Sequence, residues 1–243
     1  MHRRRHYIYP DLDTLAAAFV CDINHFLSRT RHEGKPVHVA LSGGHTPVQV
    51  FRQLALSARS EDWKHVHLYW GDERCVPPSD PQSNYGNAMR GFLEVIKFPE
   101  ENIHPIMGGA DSPEEEASRY EDLLKKQLPM LGGYPVFDWI WLGLGEDGHT
   151  VSIFPEQMDL WKSDRLCELS HHPESGQKRI TLTGGVINAA RRIAFLVAGK
   201  NKSDVVNQIV MKEGNYLSYP ASYVSLDSGA VEWYLDMDAT SWM

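Results

Sequence analysis

The sequence predicts a three-layer α/β/α fold, a mostly parallel, Rossmann-like sheet with helices on both faces, and three observations lead there. Apolar runs of strand length alternate with stretches of helical periodicity, the pattern of parallel strands joined by helical crossovers. One of the runs, "VFDWIWLGLG" (136–145), is nearly continuously apolar, as expected of a strand covered on both faces. Three polar, glycine-bearing segments, "LSGGHTP" (41–47), "WGDERCVP" (70–77) and "GLGEDGHT" (143–150), each follow such a run.

Residues 11–33 open the pattern, with Leu15, Phe19, Ile23, Phe26 and Leu27 at helical spacing and Asp11 or Asp13 as the cap. "PVHVALSGG" follows as a strand ending in glycines. The next helix is "HTPVQVFRQLALSA", with Thr46 at the N-cap and Pro47 at the first helical position. "HVHLYW" reads as a strand, "GDERCVPPSDPQS" as a long Pro-rich loop and "NYGNAMRGFLEVI" as a helix. In "SPEEEASRYEDLLKKQL", Ser112, Pro113 and Glu115 form a capping-box signature. After "VFDWIWLGLG", the segments "RITLT", "RRIAFLVAG" and "SYVSLD" read as later strands, with "NKSDVVNQIVMKE" helical between the last two. Ligands of such sheets bind beyond the carboxyl ends of the strands, so the three glycine-bearing segments are expected on one rim.

Composition narrows the function. With 243 residues, 42% of them hydrophobic and 23% charged, the chain is an ordinary globular sequence rather than a disordered or fibrous one. A net charge of -8 gives no bulk attraction to nucleic acid or anionic membrane, so an anionic ligand would need local positive charge. No apolar segment of signal-peptide or membrane-spanning length follows the basic start, where Arg3 to Arg5 read as a solvated terminus. Cys21, Cys75 and Cys167 fit no metal or redox spacing, which suits a reducing cytoplasm. His65 with His67, and His171 with His172, lack a third ligand nearby in sequence, so no metal site is expected.

In "LSGGHTP" two glycines precede a helix start, where free N–H groups and the helix dipole favour a phosphate. The Lys-Ser/Thr pair of a Walker loop is missing, as is a GxGxxG fingerprint. Glu146 and Asp147 would repel a pyrophosphate from "GLGEDGHT". Asp147 two residues before His149 instead provides a carboxylate that can orient an imidazole, the arrangement of a general base. Asp72, Glu73 and Arg74, in isolation, read as a solvated turn with local ion pairs, and Arg179 and Lys202 as surface cations. Their ordered occurrence at strand ends favours a site.

These blocks, together with "WGDERCVPPSDPQSNYGNA", "GLGEDGHTVSIFP", "RITLTGGVINAARRIAFLVAGKNKS" and "YPASYVSLDSGAVEWYLDMDA", resemble the 6-phosphogluconolactonase family, within the larger group that includes glucosamine-6-phosphate deaminases. The resemblance runs from about Val37 to Ala239 and implies a single domain over 1–243. It also implies hydrolysis of 6-phospho-D-glucono-1,5-lactone to 6-phospho-D-gluconate in the oxidative pentose phosphate pathway. A lactone carbonyl needs an activated water and positive charge near the oxyanion, and neither metal nor organic cofactor.

On this reading His149 is the base and Asp147 its support, with Arg74 open to phosphate, sugar acid or oxyanion. Gly43, Gly44 and Thr46 would hold the phosphate with Arg179 and Lys202, while His45, Asp72, Asn84 and Gly148 complete the substrate-binding set. Asn84 either orders the long loop or meets a sugar hydroxyl. His45 stands where Ser or Arg is commoner in the family, and Ser203 where Ala is commoner. The resemblance places a glutamate of deaminases at position 154, seven residues past Asp147, and here that residue is Phe154. That argues against the isomerase or deaminase alternative. A sugar-phosphate sensor would need a DNA-binding module for which the matched blocks leave no room. The expected partner is a sugar-phosphate lactone, with no nucleic acid or membrane, and the chain is expected to be a monomer or homodimer.

Overall fold

The computed structural model describes residues 3–31, 34–58, 60–226 and 229–241. The chain begins with strand β1 (Arg3–Tyr9), helix α1 (Leu12–Thr30), β2 (Val37–Leu41), α2 (His45–Ser57), α3 (Ser60–Trp63), β3 (Val66–Trp70) and β4 (Asp72–Arg74). It continues through α4 (Asn84–Ala88), β5 (Ile103–His104), α5 (Pro113–Gln127), the short β6 (Met130–Leu131) and β7 (Tyr134–Pro135), then β8 (Trp139–Leu142) and α6 (Met158–Trp161). The last elements are β9 (Cys167–His171), β10 (Lys178–Leu182), α7 (Gly184–Asn188), β11 (Arg192–Val197), α8 (Ser203–Met211) and β12 (Ala230–Asp236).

Seven strands form a parallel sheet in the order β1-β12-β11-β8-β2-β3-β5. From β2 the chain builds outward through β3 to β5, and from β8 it builds the other way through β11 to β12. The direction of winding therefore reverses between β2 and β8, and that switch point opens a crevice at their carboxyl ends. Helices cover the sheet in a three-layer α/β/α arrangement, as expected. All residues of β2 and β8 are buried, which is why β8 reads as an unbroken apolar run and β2 as one interrupted only by His38, whose Nδ1 lies 3.1 Å from the Tyr69 hydroxyl. On one face Phe19 of α1 meets Trp139, Trp141 and Tyr234 edge-on, with ring centroids 5.3, 5.1 and 4.8 Å apart.

Helix ends follow local chemistry at several points. Asp11 caps α1 by accepting from the Thr14 N–H, and Ser112 caps α5 by accepting from the Glu115 N–H. Thr46 is not a cap: α2 begins at His45, two residues earlier than expected, and its N-cap is Gly44, without a side-chain bond. The helix after Asn84 gives way to a π turn over Met89–Leu93.

The terminal strands differ from expectation. Arg3 to Arg5 belong to β1, which pairs with β12 at the sheet edge rather than forming a solvated tail; Met1 and His2 lie outside the described residues. The last strand is "AVEWYLD", not "SYVSLD": Pro220–Tyr223 is a 3-10 turn, and Asp227 lies outside the described residues. Glu232 breaks the apolar pattern of β12, and it is buried because Arg192 and Arg5 pair with it. "RITLT" does not join the parallel sheet either. It forms β10 in an antiparallel sheet of order β4-β10-β9, which sets Arg179 directly opposite Arg74.

Candidate active site

The loops after β2, β3, β8 and β11 enclose a cleft of about 470 Å³ at the switch point. Gly43, Gly44, His45 and Thr46 line one side; Asp72, Arg74 and Arg179 line the second; His149 and Lys202 complete it. The expected convergence of the glycine-bearing segments is thus present.

The first wall is the start of α2. Because Gly44 carries no capping side chain, the first N–H groups of this helix have no side-chain acceptor and the dipole's positive end faces the cleft. Gly43 is required by a close approach, since a Cβ there would lie 1.7 Å from Asn84 Oδ1. Asn84 is buried beneath that turn, its Nδ2 donating to the Asp72 carbonyl at 2.9 Å and its N–H to Glu73 at 2.7 Å. It supports the loop and does not line the cleft, which favours the first of its two expected roles.

The second wall corrects the solvated-turn reading of "DER". Asp72 is 3% exposed and Glu73 1%. Glu73 accepts from the N–H groups of Arg74, Asn84 and Tyr85 and from the Ser83 hydroxyl, tying the turn after β3 to the start of α4. Burial pushes its carboxyl above the ordinary range, although those N–H donors oppose it. Asp72 accepts from the Ser152 hydroxyl at 2.5 Å. Arg74 donates to the Gln82 carbonyl at 2.7 Å and Arg90 to that of Pro78 at 2.8 Å, so the Pro-rich loop is pinned from two sides.

Arg179 is 8% exposed rather than a surface cation. Burial lowers its pKa while the nearby Asp72 carboxylate opposes the shift, and a guanidinium keeps its charge regardless. Its Nε, like that of Arg74, is buried with no hydrogen-bond partner among the described residues. Burial also lowers the pKa of Lys202, against the pull of Glu146 and Asp147.

Opposite these cations, Asp147 Oδ1 lies 2.6 Å from His149 Nδ1 and accepts from the His149 N–H at 3.1 Å. Burial raises the Asp147 pKa, but the bond and charge of His149 outweigh it and the carboxyl falls below its ordinary value. An ionised carboxylate can only accept, so Nδ1 carries the proton and Nε2 is left as the basic nitrogen. The turn depends on Gly145, where a Cβ would lie 2.1 Å from His149 Nδ1 and 2.3 Å from Asp147 Oδ1. Gly148 serves the turn instead of lining the cleft: it adopts φ +81° and packs against Tyr219.

Sequence reasoning did not pick out Ser152, Asn201 or the contacts of Phe154. Ser152 links Asp72 to Arg179, whose Nη1 lies 3.4 Å from its hydroxyl; Asn201 donates to Glu146 beside Lys202. No local pattern marks them, because each acts through a partner distant in sequence. Among the described residues no three His, Cys, Asp or Glu side chains are placed to hold a metal. His65 pairs with Thr30 and His67 with His104. A larger cavity of about 670 Å³ lies at the amino ends of the strands, but Arg5, Arg191 and Arg192 there each already pair with a carboxylate.

Fold and site together define a doubly wound α/β protein whose cleft is lined by a helix N-terminus, Arg74, Arg179 and Lys202 and holds a carboxylate-supported imidazole. The chain belongs to the family of glucosamine-6-phosphate isomerases and 6-phosphogluconolactonases, whose model matches residues 10–233. It is 43% identical over 230 residues to a 6-phosphogluconolactonase of Haemophilus influenzae, covering 94% of this chain and 93% of that one. Among solved structures, a devB protein is 42% identical, with a TM-score of 0.92 over 99% of this chain and 100% of that one. A 6-phosphogluconolactonase from Trypanosoma brucei is 26% identical, with a TM-score of 0.87 and all of both chains covered. No described helix is long and apolar enough to cross a membrane.

Proposed function

We propose that the protein hydrolyses 6-phospho-D-glucono-1,5-lactone to 6-phospho-D-gluconate, a step of the oxidative pentose phosphate pathway, a reading supported by relatives named 6-phosphogluconolactonase. The observation that carries the mechanism is the 2.6 Å contact between Asp147 and His149 in a cleft whose other walls carry Arg74, Arg179 and Lys202. A sugar phosphate needs both halves: cations and helix N–H groups for its phosphate, and a base for the water.

The phosphate sits on the N–H groups of Gly43 to Thr46, beside His45, and is neutralised by Arg179 and Lys202. Arg74 lies opposite Arg179 in the β4–β10 register, on the same face, and we assign it to the same phosphate. Asp72 holds Ser152, and through it Arg179, in place. His149 Nε2 takes a proton from water as its oxygen bonds to C1. The tetrahedral intermediate then breaks its bond from C1 to the ring oxygen, which receives that proton, and the carboxylic acid ionises. Phe154 faces the imidazole where a second acid would favour ring-opening isomerisation. The protein acts as a single domain, a monomer or homodimer without nucleic-acid or membrane partners, and we place it in the cytoplasm, where its three free thiols would stay reduced.

The test follows disappearance of freshly generated lactone, corrected for spontaneous hydrolysis. General-base help is typically worth about 10²–10⁴-fold, so His149→Ala should cut kcat by that order with the fold intact. Arg179→Ala should raise KM well beyond a distant surface control. Wild-type turnover by the His149 variant would remove it from the role, and a wild-type rate no faster than buffer would end the lactonase reading.

A further inference from the structure

Phe154 is fully buried, yet its ring touches both halves of the proposed chemistry. The His149 imidazole lies 4.6 Å away between centroids, and the Arg179 guanidinium carbon 5.5 Å from the ring centroid. On a further side His172 packs edge-on at 5.3 Å. We infer that Phe154 is a positioning residue that holds the base and the phosphate-binding guanidinium in one arrangement, an inference that rests on the function proposed above.

The backbone supplies the second argument. Residue 154 returns to residue 149 only because 150–153 form a tight turn in which the Ile153 N–H donates to the Thr150 carbonyl at 3.1 Å. Val151, at its corner, adopts φ +47°, and a β-branched residue at positive φ is strained. Three contacts with separate segments keep it there. The Thr150 hydroxyl donates to the Gly143 carbonyl at 2.9 Å, the Ser152 N–H to the Thr181 hydroxyl at 3.2 Å, and the Ser152 hydroxyl to Asp72 at 2.5 Å. Relaxing the corner would carry the Phe154 ring off His149, so the strain is retained where it orders the site. A flat ring also offers a face to the Arg179 guanidinium, which an aliphatic chain of similar volume cannot.

The experiment is a pair of double-mutant cycles on lactone hydrolysis, using Phe154→Leu with His149→Ala and with Arg179→Ala. Ring contacts of this kind convert to about threefold to tenfold each, so Phe154→Leu alone should lower kcat and raise KM by about that much. In the His149→Ala background it should cause no further fall in kcat, and in the Arg179→Ala background no further rise in KM. A merely structural role would multiply the losses in both doubles; that result, or near-wild-type kinetics of Phe154→Leu, overturns the inference. If His149→Ala alone kept full turnover, the assignment of the base would fail instead, and the Arg179 cycle would still decide the second half. Phe154→Met, closer in volume, replaces Leu should the first variant not fold.

Discussion

Gly145→Ala adds one methyl group and tests the geometry of the imidazole–carboxylate pair. The new Cβ would lie 2.1 Å from His149 Nδ1 and 2.3 Å from Asp147 Oδ1, whereas ordinary contact begins near 3.4 Å. The imidazole must therefore retreat by roughly 1.3 Å, the difference between those distances, and the 2.6 Å bond to Asp147 cannot survive unchanged. A misplacement of about 1 Å in a catalytic group can cost about 10²-fold, so kcat should fall by that order. Gly145 is not among the glycines at positive φ, so alanine suits its backbone. The atoms in the way are ends of side chains, and the loss should fall on turnover rather than the fold. For a chain of this size 1 kcal/mol shifts Tm by about 2–4 °C, and no more than that is expected. The assay is steady-state kinetics on the lactone beside a thermal melt. A variant with wild-type Tm and kcat within about threefold of wild type would refute the claim that this contact positions the base.

Phe19→Ala removes a ring packed on Trp139, Trp141 and Tyr234 and should cost about 3–5 kcal/mol in urea unfolding; a loss under 1 kcal/mol would contradict that packing. His38 is 4% exposed, and burial depresses its pKa from 6.5 to about 4. Between those values the unfolded chain binds a proton that the folded chain does not, so stability is full above pH 6.5 and falls as pH drops towards 4. The shift corresponds to about 3 kcal/mol. His38→Asn, which keeps a polar partner for the Tyr69 hydroxyl, should lessen this dependence in urea melts taken across that range, leaving the share of His104, whose pKa burial also lowers to about 4; an unchanged slope would show that His38 does not contribute to it.

Local chemistry made much of this protein legible from its residues alone. A strand such as "WIWL" is apolar throughout because both its faces are covered, and "SGGHTP" must turn and start a helix because glycine, threonine and proline have those backbone preferences. The pairing of Asp147 with His149 was readable for the same reason: the two are separated by one residue in a glycine turn, so sequence distance limits spatial distance. Strand β1 escaped notice because an edge strand of basic and aromatic residues lacks the signature of a buried one. Strand β12 escaped because Glu232 looks solvent-exposed until Arg192 arrives from another strand to pair with it.

Interactions within a few residues set the alternation of strands and helices, the glycine turns at their ends and the acid–imidazole pair, and these can be read along the chain. The burial of Asp72 and Glu73, the departure of β10 from the main sheet to set Arg179 opposite Arg74, and the strained turn that returns Phe154 to His149 emerge instead from the assembled fold. Those outcomes depend on partners tens of residues away, whose proximity comes from packing the whole core and from no local pattern.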